Sequence, residues 1–224
     1  MHAHCSILCI TPPHMLREIA QNGTPVQQEV ARKTLMASES FRAKRSAMGG
    51  MLAASLAATI IGGKERTIYD AKNGTSLPGV KIRGEGDPAS LDPAVNEAYD
   101  GSGITYDLYM NAFGRNSIDN NGMKLNSTVH FQKGYDNAFW DGEQMVYGDG
   151  DEDLPVDQRL FNRFTKSLDV IAHELTHGVT QYEANLNYYG QPGALNESMS
   201  DVFGSLVKRR WQHRNRSEHD GQKQ

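Results

Sequence analysis

The feature that most constrains the fold is a pair of histidines, His173 and His177, in a segment that predicts an amphipathic helix. Apolar residues recur there over 168–179 at spacings of 3, 4, 7 and 11, the pattern of a helix with one buried face. The histidines are four residues apart on the adjoining stripe, so both imidazoles can reach one point, as two ligands of a tetrahedral zinc ion must. Glu174 is rotated about 100° from the first histidine and lies beside that point, where it can hold a water molecule.

A second predicted helix strengthens the case for a metal site, because the H-E-x-x-H pattern alone also fits two histidines bonded to neighbouring carbonyls. Apolar residues recur over 195–206 at spacings of 4, 7 and 11, and Glu197 and Asp201 share a side away from most of that stripe. One carboxylate can be a third ligand, and the other can accept the remaining N–H of a ligand histidine. Asn196 is a further candidate partner on the same turn. The alternative interpretation is that these acids lie on a helix surface without a special role.

Three protein ligands leave a fourth position for water, which is typical of a catalytic zinc site. Zinc lowers the pKa of such a water towards about 7, so that Glu174 can take its proton and return it to the departing amine of a cleaved peptide. The developing oxyanion needs a further donor. Tyr188 is the local candidate for that donor, and an ordinary packed tyrosine is the alternative.

The rest of the chain predicts a mixture of strands and helices. Short extended segments at 67–69 and 80–83 predict strands, and residues 127–147 return to strand character, with a sheet edge near Asn137. Asp92 and Pro93 predict a helix start, and the apolar pattern continues this helix past Gly101 and Gly103, although the low helix propensity of glycine weakens the case for one unbroken helix. Near the beginning, a capping box predicts another helix, and its residues are Thr24, Pro25 and Gln27.

Charge and composition exclude several function classes. The chain has 23 Lys and Arg against 27 Asp and Glu, a formal net charge of −4, so a nucleic-acid partner is not expected. Cys5 and Cys9, four residues apart, do not predict a disulfide framework. The most apolar stretch, 51–61, is shorter than the roughly 20 residues that cross a bilayer, and no membrane partner is expected. The first residues do not form a recognisable signal peptide.

Three segments resemble the thermolysin-like metalloproteases and, among them, the protealysin branch: DVIAHELTHGVTQYEANLNYYG, ALNESMSDVFGSLV and NAFWDGEQMVYGDGD. A weaker resemblance extends over 64–207, and HCSILCITPPHML resembles the short prosegment of that branch. The resemblance implies an α+β zincin fold like the N-terminal domain of thermolysin. Such a fold has a mixed sheet and two metal-site helices, here preceded by a short helical prosegment.

The same resemblance implies roles for individual residues. It implies a zinc site with Glu174 as general base and three ligands, His173, His177 and Glu197. Asp201 and Asn196 would orient the first and the second histidine respectively. Asn137 and Ala138 match the edge-strand segment that binds the substrate backbone, which fits the way an extended peptide adds to an open strand.

The resemblance is less clear about calcium. Asp169 matches a calcium ligand of thermolysin, but Lys208 stands where thermolysin has a second, acidic ligand. A cation at that position opposes the binding of a divalent ion, so calcium is not strongly expected here.

The expected organisation is a prosegment at 1–46, a small-residue linker at 47–63, a zinc-protease domain at 64–207 and a charged tail at 208–224. The tail contains His213 and His219, which are expected to be solvent-exposed. It is too charged to form the mostly helical second half that members of the family have. That half is therefore expected to be absent, as in a chain truncated after its metal-binding half.

The function that follows is a zinc-dependent endopeptidase, made as a zymogen, that acts on peptide or protein substrates with its own prosegment as inhibitor. The alternative is a truncated zinc-binding homologue that serves as a decoy or has no function. A further hypothesis places the Cys5 thiolate at the open position of the zinc. The alternative is that Cys5 is only a small packed residue of the prosegment. The family resemblance indicates secretion, and cytoplasmic residence is the alternative.

Overall fold

The computed structural model describes residues 10–48, 62–186 and 190–221, with the side chains of all of these except 42–48 and 217–221. Cys5, Cys9, Tyr188 and the apolar stretch at 51–61 lie outside the described residues, as does most of the linker predicted at 47–63. The predictions made for them, including the division of the chain at that linker, therefore stay predictions.

Ten helices and strands organise the described residues, with two short 3₁₀ turns at Val156–Gln158 and Phe164–Lys166. In chain order they are α1 (Pro13–Asn22), α2 (Pro25–Met48), β1 (Arg66–Asp70), β2 (Val80–Gly84), α3 (Pro93–Phe113), β3 (Leu125–Val129), β4 (Ala138–Trp140), β5 (Met145–Tyr147), α4 (Leu168–Glu183) and α5 (Gly190–Gly221). The predicted α+β fold with a short helical segment at its start is confirmed.

The five strands form one mixed sheet in the order β2-β1-β3-β5-β4. The pairs β1–β3 and β3–β5 are parallel, and the two outer pairs are antiparallel. Among the described strands, β4 pairs only with β5, with Ala138 opposite Tyr147 and Trp140 opposite Met145. The sheet edge predicted near Asn137 is thus confirmed.

Local sequence signals explain where two helices begin. At α2 the backbone N–H of Thr24 donates to Gln27 Oε1 over 2.9 Å and the Gln27 N–H donates back to Thr24 Oγ1, which is a capping box. At α3 the Asp92 carboxylate accepts from the Ala94 N–H.

Helix α3 is unbroken, as the apolar pattern that continues past its glycines predicts. A Cβ at Gly101 would overlap the Ile171 side chain of α4. The glycine therefore lets α3 and α4 approach closely, and the packing of the two helices outweighs the low helix propensity of glycine.

The sheet is covered on both faces by different parts of the chain. Alternate residues of β4 and β5, such as Trp140 and Tyr147, belong to the main core with α3 and α4. The intervening Phe139 and Val146 belong to a second cluster, against which Phe41 of α2 packs. Helix α2 therefore lies on the face opposite the histidine helix.

Helix α5 differs from the expectation at its second half. The segment after Val207, which the sequence analysis expects to be a charged tail, continues the helix to Gly221. Four apolar residues of α5 are exposed, namely Leu195, Met199, Val202 and Leu206, whereas Phe203 packs against the core. None of the described helices is long and apolar enough to span a bilayer.

Candidate metal and catalytic site

Helices α4 and α5 bring three metal-ligating side chains to one point. His173, His177 and Glu197 each offer a ligand atom, and these atoms lie within 4.8 Å of one another. The two Nε2 atoms are 3.0 Å apart, and the Glu197 carboxylate lies 3.4 Å from Nε2 of His173 and 3.7 Å from Nε2 of His177. This is the ligand group expected from the sequence, and its role as a zinc site stays a prediction.

A glycine on α5 permits this approach of the two helices. A Cβ at Gly204 would stand 2.7 Å from the Asp169 carbonyl oxygen and 3.3 Å from the His173 backbone nitrogen. The first distance is too short for a methyl group, so a larger residue would force α5 away from α4 and separate Glu197 from the histidines.

The other nitrogen of each imidazole faces an oxygen from α5. His173 Nδ1 lies 2.9 Å from Asp201 Oδ1, and His177 Nδ1 lies 2.8 Å from Asn196 Oδ1. These are the two orienting pairs that the resemblance implies. His177 Nδ1 also lies 3.0 Å from Ser200 Oγ, a contact that the sequence analysis did not anticipate.

This hydrogen bonding shows that the site suits a cation. A carboxylate and a carboxamide oxygen can only accept, so Nδ1 of each histidine carries the ring proton. Both Nε2 atoms then present lone pairs to each other and to Glu197. Three acceptors at such distances repel unless a positive ion lies among them, and two imidazoles with one carboxylate are ordinary zinc ligands. The residues present therefore fit a zinc ion.

The electrostatics of His173 indicate the same need for positive charge. Burial lowers the pKa of His173, but the surrounding carboxylates, Glu197 first among them, raise it more, so the net shift is upward.

Glu174 is fully buried beside the histidines, and its carboxylate is tied to the sheet edge. Its Oε2 accepts from the Trp140 backbone N–H over 3.0 Å. The Trp140 indole N–H donates in turn to Gln181 Oε1 over 3.1 Å. Strand β4 and the candidate base are therefore held together, and sequence reasoning singled out neither Trp140 nor Gln181.

Asn137 and Ala138 lie at the start of the edge strand, and the N-terminal segment already contacts the first of them. Asn137 Oδ1 accepts from the Thr11 backbone N–H over 2.9 Å, and Asn137 Nδ2 donates to the Thr11 carbonyl over 3.3 Å. Ala138 is fully buried, and its N–H donates to Asn137 Oδ1. The backbone N–H and carbonyl of one N-terminal residue are thus both bound by one side chain of the sheet edge.

Helix α2 adds further buried contacts behind this edge. Thr34 Oγ1 accepts from the Asp136 N–H over 3.1 Å, and the Ser38 hydroxyl pairs with the Tyr135 hydroxyl over 3.0 Å. The rings of Phe41 and Phe139 have centroids 4.4 Å apart. The N-terminal segment is therefore packed as part of the fold.

The residues matched to calcium binding form an ion pair. Lys208 Nζ lies 2.9 Å from Asp169 Oδ2, so the ammonium group occupies the place next to that carboxylate. His213, in the same half of α5, is exposed, whereas the side chain of His219 lies outside the described set.

Comparisons with known proteins identify the family of which this metal-ligand arrangement is expected. Residues 58–181 match the family model described as "Thermolysin metallopeptidase, catalytic domain". Residues 184–222 match "Thermolysin metallopeptidase, alpha-helical domain", a stretch that includes most of the segment expected to be a tail.

Individual relatives give the same result. The chain is 47% identical over 207 residues to an extracellular metalloprotease of Pectobacterium carotovorum subsp. carotovorum, covering 91% of this chain and 55% of that protein. It is 54% identical over 146 residues to Protease PrtS of Photorhabdus sp. (strain Az29), covering 65% and 38% of the two chains. The chain thus spans about half the length of these relatives or less.

A solved structure is also similar, that of the precursor of protealysin, a metalloproteinase from Serratia proteamaculans. The TM-score is 0.75 at 47% sequence identity, and the match covers 91% of this chain and 56% of that one.

Proposed function

This chain belongs to the thermolysin metallopeptidase family, and we propose that it is the metal-binding half of a zinc-dependent endopeptidase. The observation that carries the proposal is the convergence of two imidazole Nε2 atoms and one carboxylate, each histidine bonded through Nδ1 to an acceptor of α5. Such a donor set with three protein ligands is typical of catalytic zinc sites.

Zinc, when bound, lowers the pKa of a water to about 7 and polarises a substrate carbonyl. Glu174 is the general base in this proposal, with the Trp140 N–H fixing one of its carboxylate oxygens. Because Glu174 is buried, its carboxylate is pre-oriented and needs little rearrangement to take a proton from water and return it to the departing amine.

The substrate in this proposal is a peptide bound along β4. An extended chain can add to an edge strand through its main-chain groups, and Asn137 and Ala138 stand at the end of that edge. The contact between Asn137 and Thr11 supports this role, since the side chain pairs with both the main-chain N–H and the main-chain carbonyl of one residue.

The same contact supports a zymogen in which the N-terminal segment inhibits the enzyme. Thr11 and a peptide substrate would compete for Asn137, so the segment must leave before substrate binds there. Secretion is part of the proposal because a 47% identical relative is named an extracellular metalloprotease. Calcium is not included, since Lys208 pairs with Asp169.

Cleavage of casein or of a quenched fluorescent peptide by the purified chain, after limited proteolysis has removed the N-terminal segment, tests the proposal. Activity is expected to be lost with a chelator, restored by zinc and abolished in Glu174→Ala, while that variant still binds one zinc per chain. One bound zinc without chelator-sensitive cleavage would instead support a non-catalytic zinc-binding homologue.

A further inference from the structure

His177 has two oxygen neighbours at Nδ1, and both belong to α5. Asn196 Oδ1 lies 2.8 Å from the nitrogen and Ser200 Oγ lies 3.0 Å from it. All three side chains are fully buried. Because Asn196 and Ser200 are four residues apart, the helix presents both on one face towards α4.

The two oxygens share one ring proton. The carboxamide oxygen of Asn196 can only accept, so Nδ1 of His177 carries the proton, and the Ser200 oxygen faces the same N–H. One acceptor fixes the direction of an N–H but lets the ring tilt about it. Two acceptors on successive turns of one helix also restrain the tilt, and with it the direction of the Nε2 lone pair.

We propose that Ser200 is a positioning residue that acts with Asn196 to aim His177 Nε2 at the metal position. The inference rests on the proposed zinc site, because only a metal ion makes the direction of that lone pair consequential. Outer-shell partners of metal-ligating histidines typically contribute about 10- to 100-fold to metal affinity, and a second acceptor belongs at the lower end of that range.

Ser200→Ala tests the role, with zinc affinity measured by competition against a chromophoric chelator. The variant is expected to bind zinc about tenfold more weakly than the wild-type chain. The urea midpoint of the metal-free chain should change little, because Asn196 still pairs with His177 and no buried polar group loses its partner. Ser200→Thr keeps a hydroxyl and is expected to retain most of the affinity.

Ser205→Ala is the matched control, since Ser205 is an exposed serine on the same helix. If Ser200→Ala does not fold, Ser200→Cys decides the question, because its thiol has nearly the same shape and is a weak acceptor. In the metal-free chain, NMR of the His177 ring should show Nδ1–H in both proteins, because Asn196 still accepts from it. That proton should have a different chemical shift and exchange faster with water in Ser200→Ala, where one of its two acceptors is lost. A role confined to helix packing would not change this spectrum.

The outcomes separate this inference from the proposed function. Zinc binding by Ser200→Ala within twofold of both the wild type and Ser205→Ala would overturn the role of Ser200 and leave the zinc site intact. No zinc binding by the wild type would overturn the proposed function itself.

Discussion

The Asp201 carboxylate lies 2.9 Å from Nδ1 of His173 although its own side chain is largely exposed. It therefore turns the other ring nitrogen towards Glu197, which approaches Nε2 within 3.4 Å. A residue on the surface of α5 thus controls the orientation of a buried side chain on α4.

Asp201→Ala is expected to weaken zinc binding by about 10- to 100-fold, because the His173 ring loses the acceptor that fixes its tautomer. Chelator competition measures the effect, and Asp100→Ala, an exposed acid on α3, is the control. Equal affinities for the two variants would show that the contact does not orient the ring.

His130 is expected to make the fold sensitive to alkaline pH. The side chain lies between Asp149 and Asp92. The hydrogen bond with Asp149 raises the pKa of His130, burial opposes this shift, and the hydrogen bond with Asp92 adds to it, so that the pKa is about 9. The stabilisation is complete below the unfolded pKa of about 6.5 and is lost as pH rises through about 9.

Urea unfolding at pH 6 and pH 10 measures this dependence. His130→Gln should have a lower free energy of unfolding than the wild type at pH 6, and most of this difference should disappear at pH 10. His213 is exposed, so His213→Gln should match the wild type at both pH values. A constant deficit of His130→Gln across this range would contradict the assignment.

Asp136 is expected to oppose folding as pH rises. Burial and the charges of Asp151 and Asp153 raise the pKa of Asp136 to about 8. Between the unfolded pKa of about 4 and this value, the folded chain holds a proton that the unfolded chain has lost, so the free energy of unfolding falls with increasing pH.

Asp136→Asn should remove that fall. The amide cannot ionise, and the backbone N–H that donates to Thr34 is unchanged. Stability curves at pH 5 and pH 9 should therefore differ less in the variant than in the wild type. A variant that loses as much stability as the wild type over this range would locate the titrating group elsewhere.

Phe41 is expected to hold the N-terminal segment on the sheet. Its ring contacts Phe139 and Phe131, so Phe41→Ala should weaken the docking of α2 by about 2 kcal/mol, less than for a fully buried phenylalanine. Hydrogen exchange should accelerate in α2 and stay slow in α4. Met36→Ala, at an exposed position of α2, should leave both unchanged.

Much of this structure could be predicted from sequence because its signals are local. The four-residue spacing of His173 and His177, and of Glu197 and Asp201, places each pair on one helix face, and the structure brings the two faces together. Capping signals at Thr24 and Asp92 likewise depend on neighbouring residues.

The missed features depend on contacts between distant segments. The close packing of Gly101 against Ile171 is one such contact, which helix propensity does not report. The tie between Trp140 and Glu174 uses a backbone N–H, which carries no residue-type signal. Ser200 could have been found, since it lies four residues after Asn196 on the same face.

The central claim is that His173, His177 and Glu197 bind one zinc ion. Crystals of the zinc-loaded chain, measured on both sides of the zinc absorption edge, test it most directly. One anomalous peak is expected about 2.0–2.2 Å from the two Nε2 atoms and a carboxylate oxygen of Glu197, and it should vanish in His177→Ala. A wild-type map with no peak among these three side chains would contradict the claim.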